Sequence, residues 1–140
     1  MHPASLEHHL RQFDARECAG ADHEFLARLY ASTRTDLVGS GSATAFGASL
    51  VAMQQRLQAS GYRQAFPAAR YLLLSHEGRP AGRIVVDIGE SALRLVDIAL
   101  LPELRGLGLG TAAIRALQAF AAERRLALTL AVHRINPGAA

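Results

Sequence analysis

The sequence predicts a mixed α/β domain in which a mostly antiparallel sheet ends in one parallel pair of strands. Three observations carry that prediction. The apolar period changes from helical to strand-like near Tyr71, three short strand patterns follow at turn-length spacing, and a glycine-rich loop after the third opens an alanine-rich helix leading to a last apolar strand. A strand, helix, strand unit of that length returns its second strand parallel to the first through a right-handed crossover.

In chain order, residues 1–8 read as a loose leader, and Leu10 to Cys18, which alternates poorly, reads as the first strand. Asp22 can cap a helix running to about Arg34, with Phe25, Leu26, Leu29 and Tyr30 as its apolar face. Thr35 to Thr44, containing Gly39-Ser40-Gly41-Ser42, has the composition of a flexible connection. A second helix is predicted from about Ala45 to Ser60, where Phe46, Leu50, Met53 and Leu57 recur at helical spacing and Gly61 stops the run.

Tyr71 to Ser75 is then a strand, Glu77-Gly78-Arg79-Pro80 a turn, Gly82 to Ile88 a second strand, Gly89-Glu90-Ser91 another turn and Leu93 to Leu101 a third strand, together an antiparallel meander. A helix from about Gly108 to Arg124 presents Ala113, Ala116, Leu117, Phe120 and Ala121 as one stripe, and Leu126 to Val132 is the strand that returns beside Leu93 to Leu101. The chain has no internal repeat, and its 140 residues form one domain with room for an ordinary core.

Composition narrows the functional classes. Half of the residues are apolar, as in globular proteins. No run approaches about 18 uncharged apolar residues, and Met1 to Leu10 lacks the apolar stretch of a secretion signal, so a cytoplasmic protein without a membrane partner is expected. Cys18 is the single cysteine, which excludes an internal disulfide. The 15 basic residues are all arginine and give a net charge of +3, but they are scattered and aromatics are only 6% of the chain. That pattern argues against a nucleic-acid partner while still favouring a phosphate-rich ligand. His8 and His9 have no histidine or cysteine at metal-ligand spacing, so no metal is expected.

The segment Leu93 to Thr111 is the most informative. Its apolar strand stops at Pro102 and feeds Arg105-Gly106-Leu107-Gly108-Leu109-Gly110-Thr111, which opens the alanine-rich helix. Glycines let successive backbone N–H groups converge on one oxyanion, the helix start adds partial positive charge, and Arg105 supplies a cation to the same anion. The simplest alternative is a tight strand-to-helix turn. A sharper one is a dinucleotide site, because Gly108-x-Gly110-x-x-Ala113 fits that fingerprint. Against it, Pro102, Glu103 and Leu104 separate strand from loop, the preceding strands read as hairpins, and Leu126 to Val132 ends at His133-Arg134 with no carboxylate for a ribose.

The same segment resembles the acyl-CoA motif of the GCN5-related N-acetyltransferases, a strand, a proline a few residues on, then Arg-Gly-x-Gly-Ile/Leu-Gly. Pro102, Arg105, Gly106, Gly108, Leu109 and Gly110 all match. The resemblance extends over roughly residues 9–140, from Phe25-Leu26-Ala27-Arg28-Leu29-Tyr30 to Val132-His133-Arg134-Ile135-Asn136-Pro137. It implies acetyl-CoA as donor, its pyrophosphate held by Arg105, Gly106, Leu107, Gly108, Leu109, Gly110 and Thr111. It also implies that the two parallel strands splay, so that the backbone of Ile98, Ala99 and Leu100 binds the acyl-pantetheine arm like an added strand. Asn136 matches an asparagine that contacts the same arm or orders the strand end.

Acetyl transfer to an amine needs a neutral nucleophile, a polarised thioester carbonyl and a protonated leaving thiolate. Asp97 is the candidate base, since a carboxylate inside an apolar strand is costly to bury and burial would raise its pKa. The same residue reads equally as the partner of an arginine or an acceptor for a nearby loop. A backbone N–H near Ile98 or Ala99 is the donor that the resemblance implies for the carbonyl. Tyr30 and Arg34 lie near the acceptor entrance by family topology, and read equally as a core tyrosine and a solvated arginine. Relatives continue into a tyrosine-bearing helix and a final hairpin, whereas this sequence stops at Asn136-Pro137-Gly138-Ala139-Ala140. On that comparison the thiolate lacks its proton donor, Leu126 to Val132 is an exposed edge, and a homo-oligomer is expected. The expectation is acetyl transfer from acetyl-CoA to a primary amine of an unidentified small molecule or peptide, the alternative being an acyl-CoA binding module of impaired catalysis.

Overall fold

The computed structural model describes residues 4–32, 56–57 and 64–130, and within them five strands form one sheet in the order β1-β2-β3-β4-β5. These are β1 (Arg16–Glu17), β2 (Arg70–His76), β3 (Arg79–Ile88), β4 (Ala92–Leu100) and β5 (Ala127–Leu130). All neighbours are antiparallel except β4 and β5, which run parallel with Ala92 opposite Ala127 and Leu95 opposite Leu130. They are accompanied by the helices α1 (Leu6–His9), α2 (His23–Ser32) and α3 (Leu109–Glu123). This is the mixed sheet with one parallel pair that the hydrophobic periods predicted, and the ends of β2, β3 and β4 fall within three residues of the expected ones.

The turn between β2 and β3 is shorter than expected. Glu77 and Gly78 both have positive φ, 52° and 78°, the two-residue geometry whose twist matches the flanking strands. Arg79 and Pro80 therefore belong to β3. Pro80 sits opposite Ser75 beside a register shift that follows Leu74, where its missing N–H costs the ladder least.

The two faces of the sheet are covered differently. Leu72, Leu74, Ile84, Val86, Leu93 and Leu95 turn to one face and pack with Ala113, Leu117, Phe120 and Ala121 of α3. On the other face Leu29 of α2 packs with Ala99 and Leu101, flanked by Phe25 and Leu104.

The N-terminal part differs most from the sequence expectation. Instead of a leader over residues 1–8 and a strand from Leu10 to Cys18, Ser5 caps α1 by accepting the His8 N–H at 3.1 Å, and a 3-10 turn follows over Arg11–Phe13. Leu6, Leu10 and Phe13 are all buried in the α3-side core. Their spacing of four and three residues is helical, and three large apolar side chains at about 1.5–3 kcal/mol each outweigh weak local propensity. The strand that remains is the two residues of β1. Glu123 at the end of α3 accepts the Ala4 N–H at 2.6 Å and lies 2.8 Å from His9 Nε2, tying the segment to the helix.

Asp22 does not cap α2 in the way its position suggested. A 3-10 turn over Gly20–Asp22 leads into the helix, and the carboxylate reaches back to accept the Ala19 N–H at 2.8 Å. Arg16 grips both of its oxygens, at 2.8 and 2.7 Å. The Arg16 guanidinium and the Ala19 N–H hold the Asp22 carboxyl down at about 2. The expected second helix, Ala45 to Ser60, and the Thr35 to Thr44 connection lie outside the described residues, except that Arg56 and Leu57 are helical.

Two tests follow from these contacts. Leu6→Ala should cost about 2–5 kcal/mol in urea unfolding, where a residue of a loose leader would cost nothing measurable. The Asp22 contribution is fully present above its unfolded value of 3.8 and is lost as pH falls through about 2. Asp22→Asn should therefore flatten the acid limb of a stability-against-pH curve in that window.

Candidate functional site

Asp97 reaches its position through a bulge. Val85 pairs with Asp97 but Val86 pairs with Leu95, so Val96 is an extra residue in β4. An uninterrupted strand would place Asp97 on the face of Leu93 and Leu95, beneath α3. The bulge gives that place to Ile98 and turns Asp97 to the other face, where Arg83 Nη2 donates to its Oδ2 at 2.5 Å. The two side chains keep only 17% and 20% of their surface exposed. The Arg83 Nε atom is buried with no partner among the described residues. Of the three roles read for Asp97, base, arginine's partner and loop acceptor, this contact is that of an arginine's partner. Arg83 was not singled out from the sequence, although a charge inside the apolar run Gly82 to Ile88 is the same anomaly as Asp97 in its own strand.

Beyond β4 the chain is anchored before the glycines begin. The Leu101 N–H donates to the Ala81 carbonyl at 2.9 Å, Pro102 starts a 3-10 turn over Pro102–Leu104, and the Arg105 N–H donates to the Pro102 carbonyl at 3.2 Å. The Arg105 side chain folds back, its Nε donating to the Leu100 carbonyl at 3.3 Å and its Nη2 buried without a partner among the described residues. Gly106 and Gly108 then take φ values of 84° and 77°, and α3 begins with Gly108 as a cap that offers no side-chain acceptor. The Ala112 N–H closes the first turn on the Gly108 carbonyl at 3.0 Å, so the N–H groups of Leu109, Gly110 and Thr111 have no acceptor within the helix. A Cβ on Gly106 or Gly108 would meet nothing within 4 Å. Orphan donors, open space and the positive end of a 15-residue helix together make a cradle for an anion, which is the arrangement a pyrophosphate fits.

The remaining expected residues divide. Leu107 stands 60% exposed at the loop tip, and Ile98, Ala99 and Leu100 are buried at the end of β4. β4 runs five residues past Leu95, the last residue of the described pairing with β5. The continuation of β5 and Asn136 lie outside the described residues, as does Arg34. Tyr30 is buried. On its outer side the cradle opens through Gly108 and Thr111 into a depression of about 600 Å³, whose other lining residues are His9, Gln12, Ala112, Arg115 and Ala116. Among the described residues no three histidine, cysteine or acidic side chains converge as metal ligands, and no helix is long and apolar enough to cross a membrane.

A bulged strand running through a glycine loop into a helix, on a mixed sheet with one parallel pair, makes this an α/β domain. Residues 42–140 match the Acetyltransferase (GNAT) family, and the chain belongs to that family. No curated protein matches it by sequence. Its fold is similar to PaiA N-acetyltransferase from Thermoplasma acidophilum, solved in complex with coenzyme A, with a TM-score of 0.54 at 19% identity over 87% of this chain and 80% of that one. It is also similar to a GCN5-related N-acetyltransferase from Ralstonia eutropha JMP134, with a TM-score of 0.53 at 20% identity over 89% and 84% of the two chains. A possible acetyltransferase from Clostridium difficile 630 gives 0.53 at 13% identity over 87% and 80%.

Glycine substitutions separate cradle from sheet. At Gly82, opposite Leu100, a Cβ would collide with the Ala99 carbonyl and the Leu100 side chain, while at Gly106 only the positive φ opposes it. Gly106→Ala should cost about 1 kcal/mol in thermal or urea unfolding, and Gly82→Ala clearly more, because backbone must move.

Proposed function

We propose that this chain transfers an acetyl group from acetyl-CoA to a primary amine. The observation that carries the reading is the cradle, in which Gly106 and Gly108 keep the backbone bare and open while the α3 donors face no acceptor of their own. Leu109, Gly110 and Thr111 would hold the pyrophosphate, with Arg105 bracing the loop against the end of β4. The backbone of Ile98, Ala99 and Leu100 would align the pantetheine arm, and Asn136 would add a contact further on.

The donor supplies a thioester whose carbonyl the amine nitrogen attacks. A C–N bond forms, the C–S bond breaks, the amine loses a proton and the departing thiolate gains one. An N–H at Ile98 or Ala99 would polarise the carbonyl. Asp97 is the proposed acceptor of the amine proton, directly or through a water. Membership of the acetyltransferase family and the fold shared with enzymes of that kind support this reading. The Arg83–Asp97 contact supports a second one, an acyl-CoA binding module, because a carboxylate already gripped by a guanidinium is a poorer base.

Calorimetry with acetyl-CoA tests the site. Gly108→Val, which forces a β-branched residue to a φ of 77°, should abolish binding in protein that remains folded. Unchanged affinity would remove the cradle from the site. Asp97→Asn should lower kcat by roughly 10²-fold against an amine panel while acetyl-CoA affinity holds. Loss of stability with kcat unchanged in the folded fraction would assign Asp97 to holding Arg83, and binding with no turnover by the parent chain would favour the module.

A further inference from the structure

The arginine–carboxylate pairs of this chain are built in different ways. Arg16 takes both oxygens of Asp22, at 2.8 and 2.7 Å, and Arg70 takes both oxygens of Glu7, at 3.0 and 2.9 Å. These are fork-to-fork pairs, the geometry that fixes a carboxylate most firmly. Glu17 offers a single oxygen to Arg70, but it is 66% exposed on the edge strand. The Arg83–Asp97 pair is both largely buried and end-on, with Nη2 alone reaching Oδ2. Asp97 Oδ1 has no partner among the described residues, and the part of the side chain that stays exposed leaves it open.

The backbone fixes Arg83 relative to the end of β4. Arg83 pairs with Ala99 and Val85 with Asp97, so the two charged side chains are diagonal neighbours on one face of the sheet. Beside Arg83 the strands press together, for a Cβ on Gly82 would lie 2.3 Å from the Ala99 carbonyl and 2.7 Å from the Leu100 side chain. Arg83 is thus carried on backbone locked to the stretch assigned above to the pantetheine arm. Nothing nearby competes for its charge. Asp22 is held by Arg16, and burial pushes the Cys18 thiol up, so it stays neutral in the field of Arg83. The guanidinium leaves its own Nε buried without a partner among the described residues. An unpaired buried donor costs stability, and a pair built for stability alone would take both oxygens, as Arg16 and Arg70 do.

We propose that Arg83 is a positioning residue for proton transfer, holding Asp97 by Oδ2 so that Oδ1 faces the acceptor amine. This rests on the acetyl-transfer reading and deepens it. As the C–N bond forms, the proton leaving the amine nitrogen passes to Oδ1, directly or through a water, and then to solvent, while the departing thiolate takes its proton from solvent. Arg83 touches neither donor nor acceptor and acts through Asp97.

A double-mutant cycle on kcat tests the proposal, with acetyl-CoA and three amines, benzylamine, spermidine and a lysine-bearing peptide. The proteins are the parent, Asp97→Asn, Arg83→Met, Arg83→Lys and the Asp97→Asn/Arg83→Met double variant, each checked for folding by circular dichroism. Arg83→Met should lower kcat about tenfold with KM for acetyl-CoA unchanged, and should lower it no further in the Asp97→Asn background. Arg83→Lys should stay within about threefold of the parent, because an end-on contact needs one charged donor. It should also melt no lower, since lysine has no Nε to leave unpaired. An Arg83→Met protein with the parent's kcat overturns the proposal, as does a loss that persists in full in the Asp97→Asn background or that Arg83→Lys does not rescue. Should Arg83→Met fail to fold, Arg83→Gln takes its place in the same cycle with the same criteria. An Asp97→Asn protein with the parent's kcat, or a parent that binds acetyl-CoA and acetylates none of the amines, overturns the underlying reading and this inference with it.

Discussion

Because side chains alternate along a strand, one inserted residue exchanges the faces of everything beyond it, and in β4 that residue is Val96. Before it, Leu93 and Leu95 feed the core under α3. After it, Ile98 continues that core while Asp97 and Ala99 turn toward the α2 side. Had the strand run without interruption, a carboxylate would lie in the apolar layer between sheet and helix with no arginine across the strand. The bulge converts a costly burial into an ion pair with Arg83 and lets Ala99 meet Leu29. The path of the chain into the loop depends on the same shift, since Leu101 reaches Ala81 only in this register.

The cradle is made of backbone, so its precision has to come from its ends. At one end the loop is held by Leu101, Pro102 and the folded-back Arg105. At the other, Gly110 is buried and Ala113, Leu117, Phe120 and Ala121 seat α3 on the sheet. Between these anchors only two left-handed glycines are free to set the direction of the N–H groups. The loop therefore carries little side-chain chemistry of its own.

The N-terminal segment links the core to the site. Burying Leu6, Leu10 and Phe13 against α3 stabilises the domain, and the same packing sets His9 and Gln12 beside the first turns of that helix. Arg70 reinforces the arrangement at the start of β2, meeting Glu7 at 2.9 Å and Glu17 at 2.8 Å. Its guanidinium holds the Glu7 carboxyl below the usual carboxylate range. The N-terminal segment thus becomes a wall of the depression beside the glycine loop.

By itself the sequence determined what depends on local period and local backbone chemistry. The meander from Tyr71 onward, the helix after the glycines and the glycine positions themselves are all written in short-range patterns, because alternation, helical spacing and positive φ each need only a few neighbouring residues. Tertiary structure alone decided what depends on partners far along the chain. Leu6, Leu10 and Phe13 show their purpose only once α3 lies beside them, Asp22 once Arg16 takes both its oxygens, and Asp97 once the bulge carries it to Arg83. The physical reason is the same in each case. A buried side chain is defined by what surrounds it, and those surroundings are assembled by folding from residues that no local window contains.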